Sequence, residues 1–440
     1  MNMNTTLVFG LNADELRPLV AAVTPGSLAS READDGTWAD RFARVAWTTL
    51  AEPGDAVAGA LVESVGAAAA LELLLQRSGN GHGAKPDRAW RKMLDELALE
   101  TVSAQMVLAG FSRWAPRLSA VAVIRSLEQS ARFGIQCSVP SDTWWPQGLA
   151  DLGPSSPMAL WTRGDQTALV RVASSAAIVG ARAATGYGES VAVELAAGLS
   201  DRGVLVVSGG AYGIDGSAHR AAVATGASTI AVLAGGLDRL YPVGHDELLR
   251  RIATTGVLVA EVPCGVPPTR WRFLQRNRVI AAMTGATVVV EAGHRSGSLN
   301  TAGHAAAIGR PLGAVPGAIT SAASAGCHRL LREYGATCIT SAHDVLEMLG
   351  VDSSEDPTGD TSGGSAGRRS SSATRVLDAV HQRTARSPGE IAGLTGMAVG
   401  EVLAALGILE SERVIRRTDS GDWVRSRPAS SAHSGISHSR

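Results

Sequence analysis

The chain has 440 residues, of which 45% are hydrophobic and 18% are charged, and its formal net charge is −1. That length exceeds what one hydrophobic core usually supports, so we expect two or three domains. The near-zero net charge excludes a protein-wide basic field, so any affinity for nucleic acid has to come from a local patch. Arginine supplies most of the positive charge, since Lys85 and Lys92 are the only lysines.

The cysteines and the apolar runs limit the class of protein further. No C-x-x-C pair occurs, which argues against a zinc site and a disulfide framework and favours buried thiols in a reducing cytosol. The amino terminus lacks the features of a signal peptide, and no apolar run reaches the ~18 residues of a membrane helix. We therefore expect a soluble, cytoplasmic protein without metal or membrane. The four cysteines are Cys137, Cys264, Cys327 and Cys338.

Residues 1–135 are rich in Ala and Leu at helical spacing, which predicts an N-terminal helical domain of a SAM or helix-hairpin-helix-like type. Within it, Ala58–Leu75 has Gly66 between two apolar helical runs. Such a pattern fits a small helix-turn-helix or helix-hairpin-helix unit, and it fits a plain turn between two packed helices equally well.

Residues 136–350 alternate short β-branched runs with amphipathic helical stretches. Near-continuous apolar runs are typical of strands buried on both faces, and their alternation with helices predicts an extended Rossmann-like, doubly wound parallel sheet. The predicted helices are Gly188–Arg202, Asp215–Thr225, Asp246–Thr254 and Leu299–Gly309. The predicted strands are Ala176–Val179, Val204–Ser208, Thr229–Leu233, Val257–Val262, Thr287–Glu291, Leu312–Val315 and Thr337–Ile339.

The carboxyl-terminal residues divide into three segments. Residues 351–372 are rich in Ser, Gly and Asp and predict a flexible linker, because they cannot bury enough surface to offset their ordering entropy. Residues 373–426 combine a capping box at Ser387–Glu390, a helix near Val399–Glu410 and a short hairpin, which together predict a winged-helix domain. Residues 427–440 are rich in Ser and His and predict a disordered tail.

Three glycine-rich turns follow predicted strands and open helices. In an open parallel sheet, ligands bind outside the carboxyl ends of the strands, and a helix amino terminus offers N–H groups to a phosphate. We therefore predict an anion-binding rim. No Walker A or well-matched dinucleotide fingerprint is present, so we expect no nucleotide cofactor. The turn residues proposed to face the ligand are Gly180, Arg182, Ser208, Gly209, Gly210, Tyr212, Gly213, Ser296, Gly297, Ser298 and Thr301.

The segment Arg270–Arg278 concentrates positive charge and aromatic side chains. Arg270, Arg272, Arg276 and Arg278 are interleaved with Trp271 and Phe273, beside Asn277, and no acid occurs between Glu261 and Glu291. Arginines contact phosphates and aromatic rings stack on unpaired bases, so this segment has the composition of a single-strand site. A solvated arginine face with packed aromatic residues is the competing interpretation.

The carboxylates offer no catalytic arrangement. Asp215, Glu261 and Glu291 end strands or open helices, where an acid caps backbone N–H groups. His219 follows Asp215 by one helical turn, which favours a structural pair. We predict structural roles for Asp215, His219 and Glu291, no catalytic residues, and a protein that is not an enzyme.

Taken together, these blocks resemble the bacterial DNA-processing protein A family, DprA/Smf. The resemblance is carried by Val179–Arg182, SGGAYGID at 208–215, Tyr241-Pro242, Arg276–Arg278, SGSLNTA at 296–302 and Val315–Gly317. It implies a homodimer that binds and protects single-stranded DNA and promotes RecA loading in natural transformation. Where relatives commonly place a basic residue, this chain has Tyr212, which suggests that its ring stacks on a base.

Two alternatives come from other classes. A LOG-like phosphoribohydrolase also uses glycine-rich turns, but its PGGxGTxxE motif is missing, since the region reads EAGHRSGSLNTAGHA. A winged-helix regulator would read DNA with the helix Val399–Glu410. That helix carries Glu401 and Glu410 and no basic residue, so base readout is disfavoured, while the basic hairpin leaves backbone contact open.

Overall fold

The fold is taken from a computed structural model, in which the described residues are 7–8, 11–26, 37–78, 87–97, 101–351, 371–381, 384–411, 414–418 and 420–426. The described residues form two compact units, 1–355 and 356–440. The predicted linker, apart from its two ends, and the predicted tail at 427–440 lie outside the described residues.

In its described residues, the amino-terminal region has seven helices and one antiparallel pair of two-residue strands, β1 (Leu7–Val8) and β2 (Leu11–Asn12). Its helices enclose aromatic side chains, with the rings of Trp47 and Trp114 packed edge to face at 5.1 Å. The helices are α1 (Ala13–Val23), α2 (Thr37–Leu50), α3 (Ala56–Val65), α4 (Ala67–Ser78), α5 (Asp87–Glu96), α6 (Ala104–Trp114) and α7 (Ala120–Arg132).

The segment Ala58–Leu75 forms α3 and α4, which meet at Gly66 with a bend of 113°. Gly66 has φ of 82°, a conformation that glycine adopts at low cost. Both helices bury apolar faces in the amino-terminal core, and the Trp47 indole N–H donates to the Ala67 carbonyl at 3.1 Å. These contacts account for the turn by packing, and a DNA-binding role for it stays a prediction.

A nine-stranded sheet forms the centre of the first unit, in the order β11-β10-β9-β5-β6-β7-β8-β4-β3. The seven strands β5 to β11 are parallel, while β4 pairs antiparallel with β8 and β3 antiparallel with β4. The strands are β3 (Gln136–Ser138), β4 (Leu160–Gly164), β5 (Ser175–Val179), β6 (Leu205–Ser208), β7 (Thr229–Leu233), β8 (Val257–Ala260), β9 (Ala286–Val289), β10 (Leu312–Ala314) and β11 (Thr337–Cys338).

Helices cover both faces of this sheet, and a separate apolar core lies on each face. The chain order reverses between β5 and β9, since later strands extend to β8 on one side and to β11 on the other. Such a switch point opens a crevice at the carboxyl edge. The helices are α8 (Gly186–Asp201), α9 (Ile214–Ala224), α10 (Asp246–Thr255), α11 (Arg270–Met283), α12 (Ser298–Ala307), α13 (Ala325–Glu333) and α14 (Ala342–Leu349).

The predicted Rossmann-like sheet is present, and all seven predicted strands occur within two residues of their expected ends. The two antiparallel strands, β3 at the sheet edge and β4 beside it, were not predicted. The expectation of four buried thiols was wrong for Cys338, which is exposed at the edge strand β11, whereas Cys137, Cys264 and Cys327 are buried.

The second unit contains three helices and a hairpin, with its own core around Val376, Leu406 and Trp423. The predicted capping box is present, because the Ser387 side chain accepts from Glu390 N–H and the Glu390 carboxylate accepts from Ser387 N–H. Arg386 forms an isolated antiparallel bridge with Trp423 of the hairpin. The elements are α15 (Ser371–Ala379), α16 (Pro388–Thr395), α17 (Val399–Ser411), β12 (Ile415–Arg417) and β13 (Trp423–Arg425).

Among the described residues, no single helix has both the length and the apolar composition needed to cross a membrane. Two pairs of consecutive helices, α3 with α4 and α16 with α17, reach that length and composition only when each pair is counted as one helix. The pairs are bent by 113° and 108°.

Candidate nucleic-acid interface

A cleft of about 920 Å³ opens at the carboxyl edge of the sheet, at the switch point between β5 and β9. Its walls are the turn after β5, the turn after β9 and one face of α11, with Ala211 and Asp215 from the turn after β6. The sequence-predicted residues that line it are Gly180, Arg182, Arg270, Phe273, Arg276, Asn277, Ser296, Gly297, Ser298, Thr301 and Asp215.

Phe273 lines this cleft, with two arginines and a tyrosine around its ring. The Arg182 guanidinium carbon stands over the ring at 4.6 Å, and that of Arg276 lies 5.9 Å from the ring centroid. The Tyr241 ring lies tilted at 5.8 Å. An aromatic face flanked by cations can stack a planar base and hold the adjoining phosphate.

Positive charge exceeds negative charge in the cleft. Arg182, Arg270 and Arg295 are exposed, and within the described ranges none of them forms an ion pair with an acidic side chain. Asp215 is the one carboxylate among the lining residues, and it is buried. The cleft is therefore suited to a polyanion.

Asp215 holds the turn after β6 in place. Its carboxylate accepts from Gly209 N–H at 3.1 Å and Ala211 N–H at 3.4 Å. Burial raises the pKa of Asp215, while the nearby Arg276 guanidinium and the backbone donors lower it. Asp215 thus bonds to the backbone of the turn, and its structural role stays a prediction.

Arg276 is buried beside the cleft, and its hydrogen bonds hold neighbouring residues in position. Its Nη1 donates to the Val232 carbonyl at 2.6 Å and its Nε to Asn277 Oδ1 at 3.2 Å. Burial lowers the pKa of Arg276 to about 10, so the side chain stays charged at neutral pH. A Cβ on Gly209 would lie 1.8 Å from the guanidinium, so only glycine allows this approach.

Asn277 connects the arginine helix to the turn after β9. Its amide donates to the Gly297 carbonyl and to Asn300 Oδ1, both at 3.2 Å. The Ser296 and Ser298 hydroxyls lie 2.7 Å apart at the start of α12. The first N–H groups of α12 already have acceptors, since Ser298 N–H donates to Ser296 Oγ and the N–H groups of Leu299 and Asn300 donate to the Ser296 and Gly297 carbonyls. This turn therefore faces the cleft with its polar side chains and not with free helix N–H groups.

The acid-free stretch between Glu261 and Glu291 predicts that nothing neutralises the arginine cluster, and this prediction was wrong. Arg278 pairs with Glu261 at 2.5 Å in a buried contact, and Arg272 binds Glu52 of the amino-terminal region at 3.0 Å. The sequence could not predict the contact with Glu52, because Glu52 lies 220 positions before Arg272. Neither Arg272 nor Arg278 lines the cleft.

Other predicted residues also lie away from the cleft lining. Ser208, Gly209 and Gly210 are buried behind it, and the Ser208 hydroxyl donates to the Ile178 carbonyl at 2.6 Å. Gly213 begins α9, and Tyr212 points to the loop before α10, where its hydroxyl accepts from Gly244 N–H at 3.2 Å. None of these five residues lines the cleft.

His219 and Glu291 make structural contacts. The expected pair of His219 with Asp215 does not form, because His219 Nδ1 lies 2.9 Å from Thr229 Oγ1 instead. Glu291 is buried and accepts from Thr185 N–H at 2.9 Å and Thr185 Oγ1 at 2.6 Å. Thr185 caps α8, so Glu291 fixes the turn after β5.

Four further lining residues with a polar group in the side chain were not among the predicted site residues: Arg295, Asn300, Thr269 and Tyr241. Arg295 and Asn300 lie in the glycine-rich turn after β9, so extending the prediction to every polar residue of that turn would have found them. Thr269 caps α11, where its hydroxyl accepts from Arg272 N–H at 3.3 Å.

Fold and site define a class: a Rossmann-like α/β protein with a cationic, aromatic cleft at its switch point. The family described as DNA recombination-mediator protein A matches residues 136–350. The chain is 46% identical over 307 residues to the putative DNA processing protein DprA of Mycobacterium tuberculosis H37Rv, covering 68% of this chain and 78% of that protein.

Two further comparisons agree. Protein Smf of Escherichia coli K12 is 40% identical over 214 residues, covering 48% of this chain and 56% of Smf. The X-ray structure of DprA from Streptococcus pneumoniae superposes with a TM-score of 0.51 at 29% identity, covering 63% of this chain and 96% of that one. This chain belongs to the DprA/Smf family of DNA-processing proteins, whose domain is described as a DNA recombination mediator.

Proposed function

We propose that this chain binds single-stranded DNA in the cleft around Phe273. The observation that carries the proposal is the placement of Phe273 between Arg182 and Arg276, with Arg270 and Arg295 exposed at the same opening. Base faces are accessible in a single strand and stacked in a duplex, so an aromatic ring inside a cleft selects unpaired DNA.

The lining residues have separate roles in this proposal. Arg182, Arg270 and Arg295 contact phosphates, Phe273 stacks on a base, and the Ser296 and Ser298 hydroxyls donate to a further phosphate. Arg276, Asn277 and Asp215 hold these groups in position. Gly180 lets the turn after β5 pack against α9, since a Cβ there would lie 2.5 Å from the Ile214 side chain.

Membership of the DprA/Smf family extends the proposal to the cellular role. We infer that the protein acts as a cytoplasmic homodimer, protects incoming single strands and promotes their loading by the RecA recombinase in natural transformation and recombination. This part of the proposal rests on family membership alone.

The organisation of the chain is also a proposal: a helical domain at 1–135, a DNA-binding domain at 136–350, a linker at 351–372, a winged-helix domain at 373–426 and a tail. The bridge from Arg386 to Trp423 supports the winged-helix assignment, because it adds a short strand between the first two helices to the hairpin. The exposed side of α17 includes Val399, Leu403 and Ile408 and no basic residue, which disfavours reading of base edges.

The proposal is tested by titrating the purified full-length protein with labelled single-stranded and double-stranded oligonucleotides of one sequence, followed by fluorescence anisotropy. We expect at least about tenfold tighter binding of the single strand, because stacking contributes ~1–3 kcal/mol per base. Equal affinity for the two forms would contradict the proposal. Release of free base from nucleoside monophosphates at an enzymatic rate would instead favour the phosphoribohydrolase alternative.

A further inference from the structure

The aromatic surface of the cleft continues beyond its opening. Tyr241 lines the cleft 5.8 Å from Phe273, and Val243 follows two residues later on the same loop. Tyr212 approaches that loop from the turn after β6, with its hydroxyl 3.2 Å from Gly244 N. These three side chains are 45%, 78% and 47% exposed and form what we call the outer ridge: Tyr241, Val243 and Tyr212.

Two arginines flank the outer ridge. Arg239 borders a small cavity that it shares with Tyr241 and Phe273. Arg220 lies 3.5 Å from His245 Nε2, and the His245 ring packs edge to face with Tyr212 at 4.8 Å. Both arginines are exposed, and no ion pair to either occurs within the described part of the chain.

Three acids lie near the ridge in the sequence. Asp246 pairs with Arg250 at 2.9 Å, Asp238 accepts from Gly265 N–H at 2.9 Å, and Glu247 follows Asp246 in the same helical turn. The ridge thus resembles the cleft in placing exposed apolar and aromatic side chains beside arginines, and it is continuous with the cleft through Tyr241.

We propose that the outer ridge is a second contact region for the same single strand, which carries bases that have left the cleft while Arg239 and Arg220 hold their phosphates. This inference rests on the proposed function of the cleft. It explains the exposure of Tyr212, which lies outside the cleft: stacking on the ridge replaces a phosphate contact at that position. It also implies that affinity rises with strand length beyond the cleft.

The test measures affinity of the full-length protein for oligo-dT of about 4 and about 16 nucleotides, the limits of usual single-strand site sizes. Val243→Asp places a carboxylate on the ridge at a highly exposed position, so the fold is preserved. We expect it to weaken binding of the long strand by roughly 5–20-fold and of the short strand by less than about twofold.

A matched control is Val170→Asp, because Val170 is 60% exposed before β5, at the opposite edge of the sheet. It should change neither affinity. Arg220→Gln combined with Arg239→Gln should reduce the salt slope for the long strand by about 1.4, at ~0.7 per neutralised phosphate.

Long-strand affinity unchanged by Val243→Asp, or a loss equal for both lengths, would overturn the ridge and leave the cleft proposal standing. Absence of any single-strand binding by the wild type would overturn both.

Discussion

The side chains of Arg276, Asn277 and Arg278 show why residue type predicts a site better than it predicts a role. Four arginines and two aromatic rings in nine residues indicated a polyanion site, and Arg270 and Phe273 do line the cleft. Arg278 instead faces Glu261, and Arg276 is committed to Val232 and Asp215. Sequence spacing cannot reveal partners from distant elements, so it could not separate residues that face the cleft from supporting ones.

This distinction changes the choice of variants. Removing Arg278 leaves Glu261 buried without its partner, and breaking a buried ion pair commonly costs ~3–5 kcal/mol. Arg276→Ala or Arg278→Ala could therefore bind DNA more weakly because the protein is partly unfolded. Such a result would not show that a phosphate-binding group had been removed.

His219 gives the folded protein a specific pH dependence. Burial lowers the pKa of His219 from 6.5 to about 3. The folded state thus keeps this histidine neutral, while the unfolded chain protonates it below 6.5. Its contribution to stability is complete above pH 6.5 and decreases as the pH falls toward 3.

We expect the wild type to lose about 2 kcal/mol of unfolding free energy between about pH 7 and pH 5 through this group, and His219→Gln to lack that component. Urea denaturation at the two pH values, followed by circular dichroism, measures the difference. His294→Gln, at an exposed histidine, serves as the control. The same pH dependence in wild type and His219→Gln would contradict this account.

At the scale of elements, the parallel strands could be predicted because each is a buried apolar run, as in Thr229–Leu233. The strands β3 and β4 could not: β3 has three residues and lies at the sheet edge, and β4 ends in Arg163 and Gly164, so neither is a continuous apolar run. Both owe their conformation to antiparallel pairing, β4 with β8 and β3 with β4. The glycine-rich turns were located correctly. The sequence could not predict which of these turns face the cleft, because that depends on how the turns pack against one another. Gly213, for example, packs against the Ala181 carbonyl.

Gly213 joins two of these turns. It has φ of 72°, and a Cβ there would lie 2.3 Å from the Ala181 carbonyl and 2.6 Å from that of Arg182. Gly213→Ala should cost about 1–3 kcal/mol of unfolding free energy and weaken DNA binding, because Ala181 and Arg182 form the cleft wall.

The control is Gly186→Ala at the start of α8, where no atom lies within 4 Å of the added Cβ. It should keep or slightly raise stability, by up to about 1 kcal/mol. Urea denaturation and anisotropy on both variants test this pair, and a Gly213→Ala protein with wild-type stability and affinity would refute the packing argument.

At the scale of the whole molecule, the cleft lies within the first compact unit, which contains both the amino-terminal helices and the sheet. The Glu52–Arg272 contact links these two parts, so the amino-terminal region helps to position α11. Composition could predict the separate carboxyl-terminal unit, because a polar segment precedes it. It could not predict this link, which depends on the tertiary fold.

The central claim, that the cleft binds single-stranded DNA, is tested most directly by changing only its exposed cations. We compare single-strand affinity in wild type, in Arg182→Gln/Arg270→Gln/Arg295→Gln, and in Arg171→Gln, an exposed arginine before β5 at the opposite edge of the sheet. Because the triple variant neutralises about three fewer phosphates, it should bind at least about tenfold more weakly, with a salt slope reduced by about 2. Its stability and the affinity of Arg171→Gln should stay unchanged. Wild-type affinity in a folded triple variant would contradict the account.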